Sequence, residues 1–123
     1  MSTYRQTGLA SESLAIKLPC RVASSAAITL SGTQTIDDVA LSVGDRVLVT
    51  SQSDSVDNGI YVVNSSTWQR STDLDGASDA LRGTMVNVYA GTSNSGWYEF
   101  LTSDPIIVGT SELTFQRWFL LSG

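Results

Sequence analysis

Histidine is absent from these 123 residues, and cysteine and lysine occur once each, as Cys20 and Lys17. Without an imidazole, the plentiful Ser and Thr hydroxyls have no ordinary general base. Lys17 does not complete a Ser-x-x-Lys spacing either, since Ser13 lies four residues before it. A lone cysteine closes no intramolecular disulfide, so folding does not depend on an oxidising compartment. Cys20 reads as a small apolar residue, because a reactive thiol needs a base beside it. Charged residues are scarce at 15%, and the 12 acids outnumber the 7 bases to give a net charge of −5. Clustered Lys and Arg are what a phosphate backbone requires, so nucleic acid is not an expected partner. Long apolar runs are missing as well. The longest, Trp118-Phe-Leu-Leu121, falls far short of the roughly 18 residues that cross a bilayer. The opening residues Met1-Ser-Thr-Tyr-Arg-Gln-Thr-Gly8 hold no apolar stretch of the secretory kind, so synthesis and folding in a cytoplasm are expected.

What replaces the missing charge is Ser, Thr and Gly, the composition of a β-protein with many polar turns. The length suits one domain that buries about two-thirds of its unfolded surface, enough to fold without disulfide or metal. Residues 1–19 show no clear alternation and read as an N-terminal arm or short helix. The β-domain is expected over residues 20–123. Period-two spacing marks strands at Arg21-Val-Ala-Ser, Ala27-Ile-Thr-Leu30, Val39-Ala-Leu-Ser-Val43 and Arg46-Val-Leu-Val-Thr50. Val47 and Val49 fall on one face of the last, and Leu48 on the other. Ile60-Tyr-Val-Val63 follows Asn58-Gly59, the strongest type I′ hairpin signal in the chain. Further strands are expected at Trp68-Gln-Arg70, Thr84-Met-Val-Asn-Val-Tyr-Ala90, Gly96-Trp-Tyr-Glu-Phe-Leu101 and Leu113-Thr-Phe-Gln-Arg-Trp118. Short strands repeated every ten or so residues predict an all-β fold, a small antiparallel β-sandwich or barrel with a short N-terminal arm.

Most acids (Asp37, Asp38, Asp45, Asp54, Asp57, Asp73, Asp75 and Asp104) fall in predicted turns, where Asp caps the local backbone. The run from Asp73 through Asp75 to Asp79 resembles part of a calcium loop but lacks its third acid and terminal Glu, so backbone capping is the simpler reading. A helical turn is expected over residues 79–82. Glu99 alone stands in the middle of an apolar strand, as a solvent-facing or ion-paired position or as a functional acid. No catalytic, cofactor-binding or metal-ligating residue is assigned. Trp68, Trp97, Tyr98 and Trp118 either fill the core or a subunit interface, or stack on sugar rings from the surface. The apolar end, residues 115–121, suits contact with another chain.

The order of motifs adds a resemblance. Arg21-Val-Ala-Ser, Ile28-Thr-Leu-Ser-Gly-Thr-Gln-Thr-Ile-Asp37, Gly44-Asp-Arg-Val-Leu-Val49 and Asn58-Gly-Ile-Tyr-Val-Val63 follow one another. Trp68-Gln-Arg-Ser-Thr-Asp73, Gly96-Trp97 and Leu113-Thr-Phe-Gln116 complete the series. Residues 20–118 thereby resemble the small β-domain of tailed-bacteriophage tail fibre and tail virion proteins. That family carries the domain inside longer fibre chains, whereas here it makes up nearly the whole sequence, as suits a small accessory subunit. The resemblance implies a non-enzymatic structural component of a phage virion, a fibre, adaptor or baseplate subunit located in the virion. Its partners would be other virion proteins and copies of itself, with trimer or hexamer natural for tail symmetry. No cofactor, nucleic acid or membrane insertion is implied. The alternatives are a capsid decoration (cement) protein and a module that binds host-surface glycan. The resemblance supplies no residue-level site.

Overall fold

The computed structural model describes residues 15–76, 79–103 and 105–118. Ten short strands among them form three sheets, two of them four-stranded: β1 Ile16–Cys20, β2 Val22–Ala23, β3 Thr35–Ile36, β4 Val39–Ala40, β5 Arg46–Val49, β6 Gly59–Val62, β7 Gln69–Arg70, β8 Met85–Val88, β9 Gly96–Phe100 and β10 Phe115–Trp118. One sheet, here called the outer sheet, runs in the order β1-β8-β9-β10, and the inner sheet runs β2-β5-β6-β7. The chain is all-β, as its composition predicts. Most neighbours pair antiparallel, but β1 on β8 and β2 on β5 are parallel. These two come from one nearly continuous stretch that turns at Arg21 from the outer sheet into the inner one. Arg21 fixes that corner by donating its backbone N–H to the Arg46 carbonyl at 2.8 Å and its guanidinium to Asp45 at 2.8 Å.

The core lies in two layers, one on each side of the inner sheet. Leu48 and Ile60 are directly paired and face the outer sheet, meeting Val86, Val88, Tyr98 and Phe100. Phe100 and its cross-strand partner Phe115 meet edge to face with ring centroids 4.7 Å apart. On the opposite side Val47, Val49, Tyr61 and Trp68 pack beneath the β3–β4 ribbon, with Ile36 and Leu41 closing the layer. This double burial explains why Val47-Leu48-Val49 is apolar without a break. The outer sheet follows strict alternation instead. Val86 and Val88 point inward, while Met85, Asn87 and Tyr89 take the other face.

Several sequence expectations shift. The boundary after residue 19 falls inside a strand, because residues 16–20 form β1; residues 1–14 of the expected arm lie outside the described residues. Pro19 is accommodated in β1 by a bulge, in which Leu18 and Pro19 together stand opposite the single residue Asn87. Residues 27–30 form no strand. Gln52 takes the place of a neighbouring strand, its side-chain amide accepting from Ile28 N–H at 2.8 Å and donating to the Ile28 carbonyl at 2.9 Å. In residues 39–43 only Val39–Ala40 pairs. Asn58-Gly59 is not a type I′ turn, since Asn58 has φ −70 and closes a 3₁₀ turn over Ser55–Asp57. The tight turn lies at Asp37 and Asp38 instead, with φ of 50 and 68 between paired Ile36 and Val39. No helical turn forms at 79–82.

Candidate functional site

The outer face of the outer sheet carries several large apolar side chains that the described elements leave exposed. Across it, two rows of cross-strand neighbours run from β1 to β10. Ile16, Met85, Glu99 and Gln116 form one row, and Asn87, Trp97 and Trp118 form the other, beside Leu18. Ile16, Leu18, Tyr89, Trp97 and Trp118 are 56, 66, 64, 41 and 55% exposed. Trp118 donates its indole N–H to Glu99 Oε1 at 3.0 Å. Glu99 sits diagonally opposite on β9, so this bond draws the indole N–H across the sheet. Glu99 is the one acid among these side chains, and its charge is engaged by that donor.

The aromatic residues therefore divide. Trp68 and Tyr98 belong to the core, and both find polar partners: Trp68 donates to the Gly32 carbonyl at 2.8 Å and Tyr98 to the Asn94 carbonyl at 2.7 Å. Trp97 and Trp118 face out. Burial holds the Tyr61 and Tyr98 hydroxyls above the ordinary phenol pKa, partly opposed by Arg70 and Arg117.

Most charged groups elsewhere hold the fold together. At the corner between the sheets, Arg46 grips Asp73 with Nη1 to Oδ1 at 3.1 Å and Nη2 to Oδ2 at 3.0 Å. Arg46 also donates to the Leu18 and Pro19 carbonyls in the β1 bulge. Lys17 is buried and donates Nζ to the Asp73 carbonyl at 2.7 Å. Burial lowers its pKa, and the charges of Asp73 and Asp79 oppose that. Burial alone would raise the Asp73 pKa, but hydrogen bonds from Arg46 and Ser71, with the Arg46 and Lys17 charges, hold it below the ordinary value. Cys20 is fully buried, and burial pushes its thiol up to about 12 despite the Arg46 charge. That thiol is inert at neutral pH. The role of Lys17 is not visible in the sequence; its one signal is being the only lysine in the chain.

Of the acids expected to cap local backbone, Asp45 and Asp54 do so, and Asp79 does the same, whereas Asp73 pairs with Arg46 and Asp37 caps the distant Ser93–Asn94 segment. Asp45 accepts from Ser42 N–H, Asp54 from Val56 N–H, and Asp79 from Asp75 and Gly76 N–H. Asp73 and Asp79 thus turn to different partners instead of sharing a cation, and Asp104 lies outside the described residues. Among the described residues no group of three or more His, Cys, Asp or Glu is placed to hold a metal ion. An open cleft of about 280 Å³ lies between Ser24, Ile28, Thr35 and Asn94, with Asp37 in its wall. Asp37 is already engaged, accepting from Ser93 N–H at 3.0 Å and Asn94 N–H at 2.7 Å. No protein-family model, curated protein or solved structure matches the chain.

Proposed function

We propose that this chain is a non-enzymatic structural component of a tailed-phage virion, a tail subunit of the fibre, adaptor or baseplate kind that works through protein–protein assembly. The observation that carries the reading is the contrast between the two large sheets. The inner sheet is covered on both faces, while the outer sheet turns a face bearing Ile16, Leu18, Met85, Tyr89, Trp97 and Trp118 to the outside. Exposed apolar patches on this scale mark contacts with another molecule. The ordered motif series over residues 20–118 supplies the virion part of the reading, and the shortage of nucleophile-activating groups favours a role without catalysis. Gold-labelled antibody electron microscopy on particles from the source lysate tests it. Label along the tail or at its tip is the expected result. Label over the head moves the subunit to capsid decoration, and particles without label overturn the virion reading.

A second reading, a host-glycan-binding module, draws on the outward rings of Trp97 and Trp118 with Asn87, Glu99 and Gln116 beside them. Stacked sugar would quench their fluorescence; no quenching at millimolar saccharide excludes that reading.

A further inference from the structure

We propose that the outer face of the outer sheet is covered by the same face of a second copy of this chain, in a two-fold pairing. The inference rests on the assembly reading above and goes further by naming the surface and its occupant. Three observations carry it.

The first is composition. The centre of a protein interface is rich in aromatic residues and Met and poor in Lys, Glu and Asp. This face offers Trp97, Trp118, Tyr89 and Met85 beside Ile16 and Leu18, with Glu99 as its acid and that acid bonded to Trp118. Asn87 and Gln116 are neutral. Two molecules of net charge −5 repel through most of their surfaces, so a face this poor in charge is where like copies approach at least cost.

The second is area. At 41–64% exposure, the three aromatic side chains leave roughly 350 Å² open. Ile16, Leu18 and Met85 bring the apolar patch to roughly 500–600 Å², the top of the range for a solitary monomer. Two such faces, with their neutral polar neighbours, together remove on the order of 1,200–1,500 Å² from solvent. That reaches the size of specific, stable interfaces.

The third is arrangement. The strand order β1-β8-β9-β10 puts aliphatic side chains at one side of the face and indoles at the other. A two-fold axis along the strands, between β8 and β9, lays β1 of each copy over β10 of the other and β8 over β9. Leu18 then meets Trp118, Ile16 lies over Gln116 beside it, and Trp97 meets the strand that carries Met85 and Asn87. In this sense the face is complementary to itself, as an isologous contact requires. A two-fold pair also builds even-numbered assemblies, so it favours the hexamer over the trimer for a tail subunit.

Sedimentation velocity of the full chain at about 100 µM, above the micromolar Kd at the weak end for an interface of this size, should show a species of twice 13.1 kDa. Leu18→Glu and Trp118→Lys should each raise the dimer Kd at least about 100-fold and sediment as monomers. Both positions are exposed, and unchanged circular dichroism and thermal unfolding confirm that the variants fold. Mixed together, the two variants should restore the dimer. Each interface then sets the introduced glutamate against the introduced lysine on one side of the axis and keeps the native Leu18–Trp118 contact on the other. A wild-type monomer at that concentration overturns the proposal, as does a trimer, or any oligomer that both substitutions leave intact. A monomer whose Trp fluorescence is quenched by dextran or mannan also overturns it and gives the face to glycan. Particle labelling is independent of these results, so a labelled tail with a monomeric chain refutes the pairing and leaves the virion reading standing.

Discussion

Arg46 and Asp73 form a two-pronged ion pair at the corner where the two large sheets meet, and the same Arg46 guanidinium reaches the carbonyls of the β1 bulge. One side chain therefore ties together β5, the β1 bulge and the loop that follows β7. Both partners are mostly buried, at 19 and 24% side-chain exposure. Arg46→Gln strands the Asp73 carboxylate and should cost about 2–4 kcal/mol in urea unfolding. A loss under about 0.5 kcal/mol, the scale of an exposed pair, would show that the corner does not depend on it.

The same pair sets the response to acid. The folded-state pKa of Asp73 lies below its ordinary 3.8, so its contribution is fully present above that value. As the pH falls below 3.8 and through the folded value, the native state must take up a proton that the unfolded state already holds, and the contribution is lost. Asp73→Asn should thus be less stable than wild type at about pH 6, and the gap should narrow at about pH 3 and below. Parallel pH curves for the two proteins would contradict this assignment.

At the alkaline end Cys20 acts. Its thiol titrates at about 12 in the fold and at 9.0 unfolded. Between those values the unfolded chain releases a proton that the native state keeps, so stability falls by about 1.4 kcal/mol per pH unit. Tyr61 and Tyr98, also raised by burial, act with the same sign above their ordinary 10.0. Cys20→Ala lowers stability at neutral pH by leaving a small cavity, but its slope between about pH 9 and 10 should be less negative than that of wild type, Lys17 acting with the opposite sign in both proteins. Equal slopes in the two proteins would place the thiol in contact with solvent.

Gly91 sits at φ +96, where an added Cβ would lie 2.2 Å from Asp37 Oδ2. The short Gly91–Asn94 segment wraps the Asp37 carboxylate, which is why the β3–β4 turn tolerates two non-glycine residues at positive φ. Gly91→Ala should cost about 2 kcal/mol or more, from backbone strain together with loss of that grip. Gly109→Ala shares the positive φ but meets nothing within 4 Å, and should cost less. Thermal unfolding of both variants separates the two causes.

The legible parts of the fold are those governed by local alternation. Val47 and Leu48 on opposite faces, or Val86 and Val88 against Met85 and Asn87, follow from a period of two and need no knowledge of partners. β1 is not legible, because its partner β8 lies far along the chain and its own sequence breaks the pattern with Lys17 and Pro19. The type I′ turn falls elsewhere for a related reason. Asn58-Gly59 has the right residues, but the Asn58 side chain is drawn away to the Leu113 carbonyl at 2.9 Å and to Gln52 N–H at 2.9 Å. Asp37 and Asp38 adopt the turn because a distant loop caps them. Alternation also sets Trp97 and Tyr98 on opposite faces without saying which face is buried. That choice depends on which side of the outer sheet the inner sheet covers, and so the candidate surface emerges only from the tertiary structure.

The division between buried and exposed indoles gives the last test. Trp68 is 3% exposed, and it donates its indole N–H to the Gly32 carbonyl and its backbone N–H to the Leu30 carbonyl. Trp68→Phe removes the indole N–H and leaves the Gly32 carbonyl without its donor beside the second core layer, a loss of about 1–3 kcal/mol. Trp97→Phe keeps an aromatic ring at a 41% exposed position, so monomer stability at low protein concentration should change by less than about 0.5 kcal/mol. Iodide should quench wild-type fluorescence in part and leave a protected component that disappears in Trp68→Phe. If Trp97→Phe destabilises the dilute protein as much as Trp68→Phe does, the outer face is part of the folding core, and its exposure is no longer an argument for a partner.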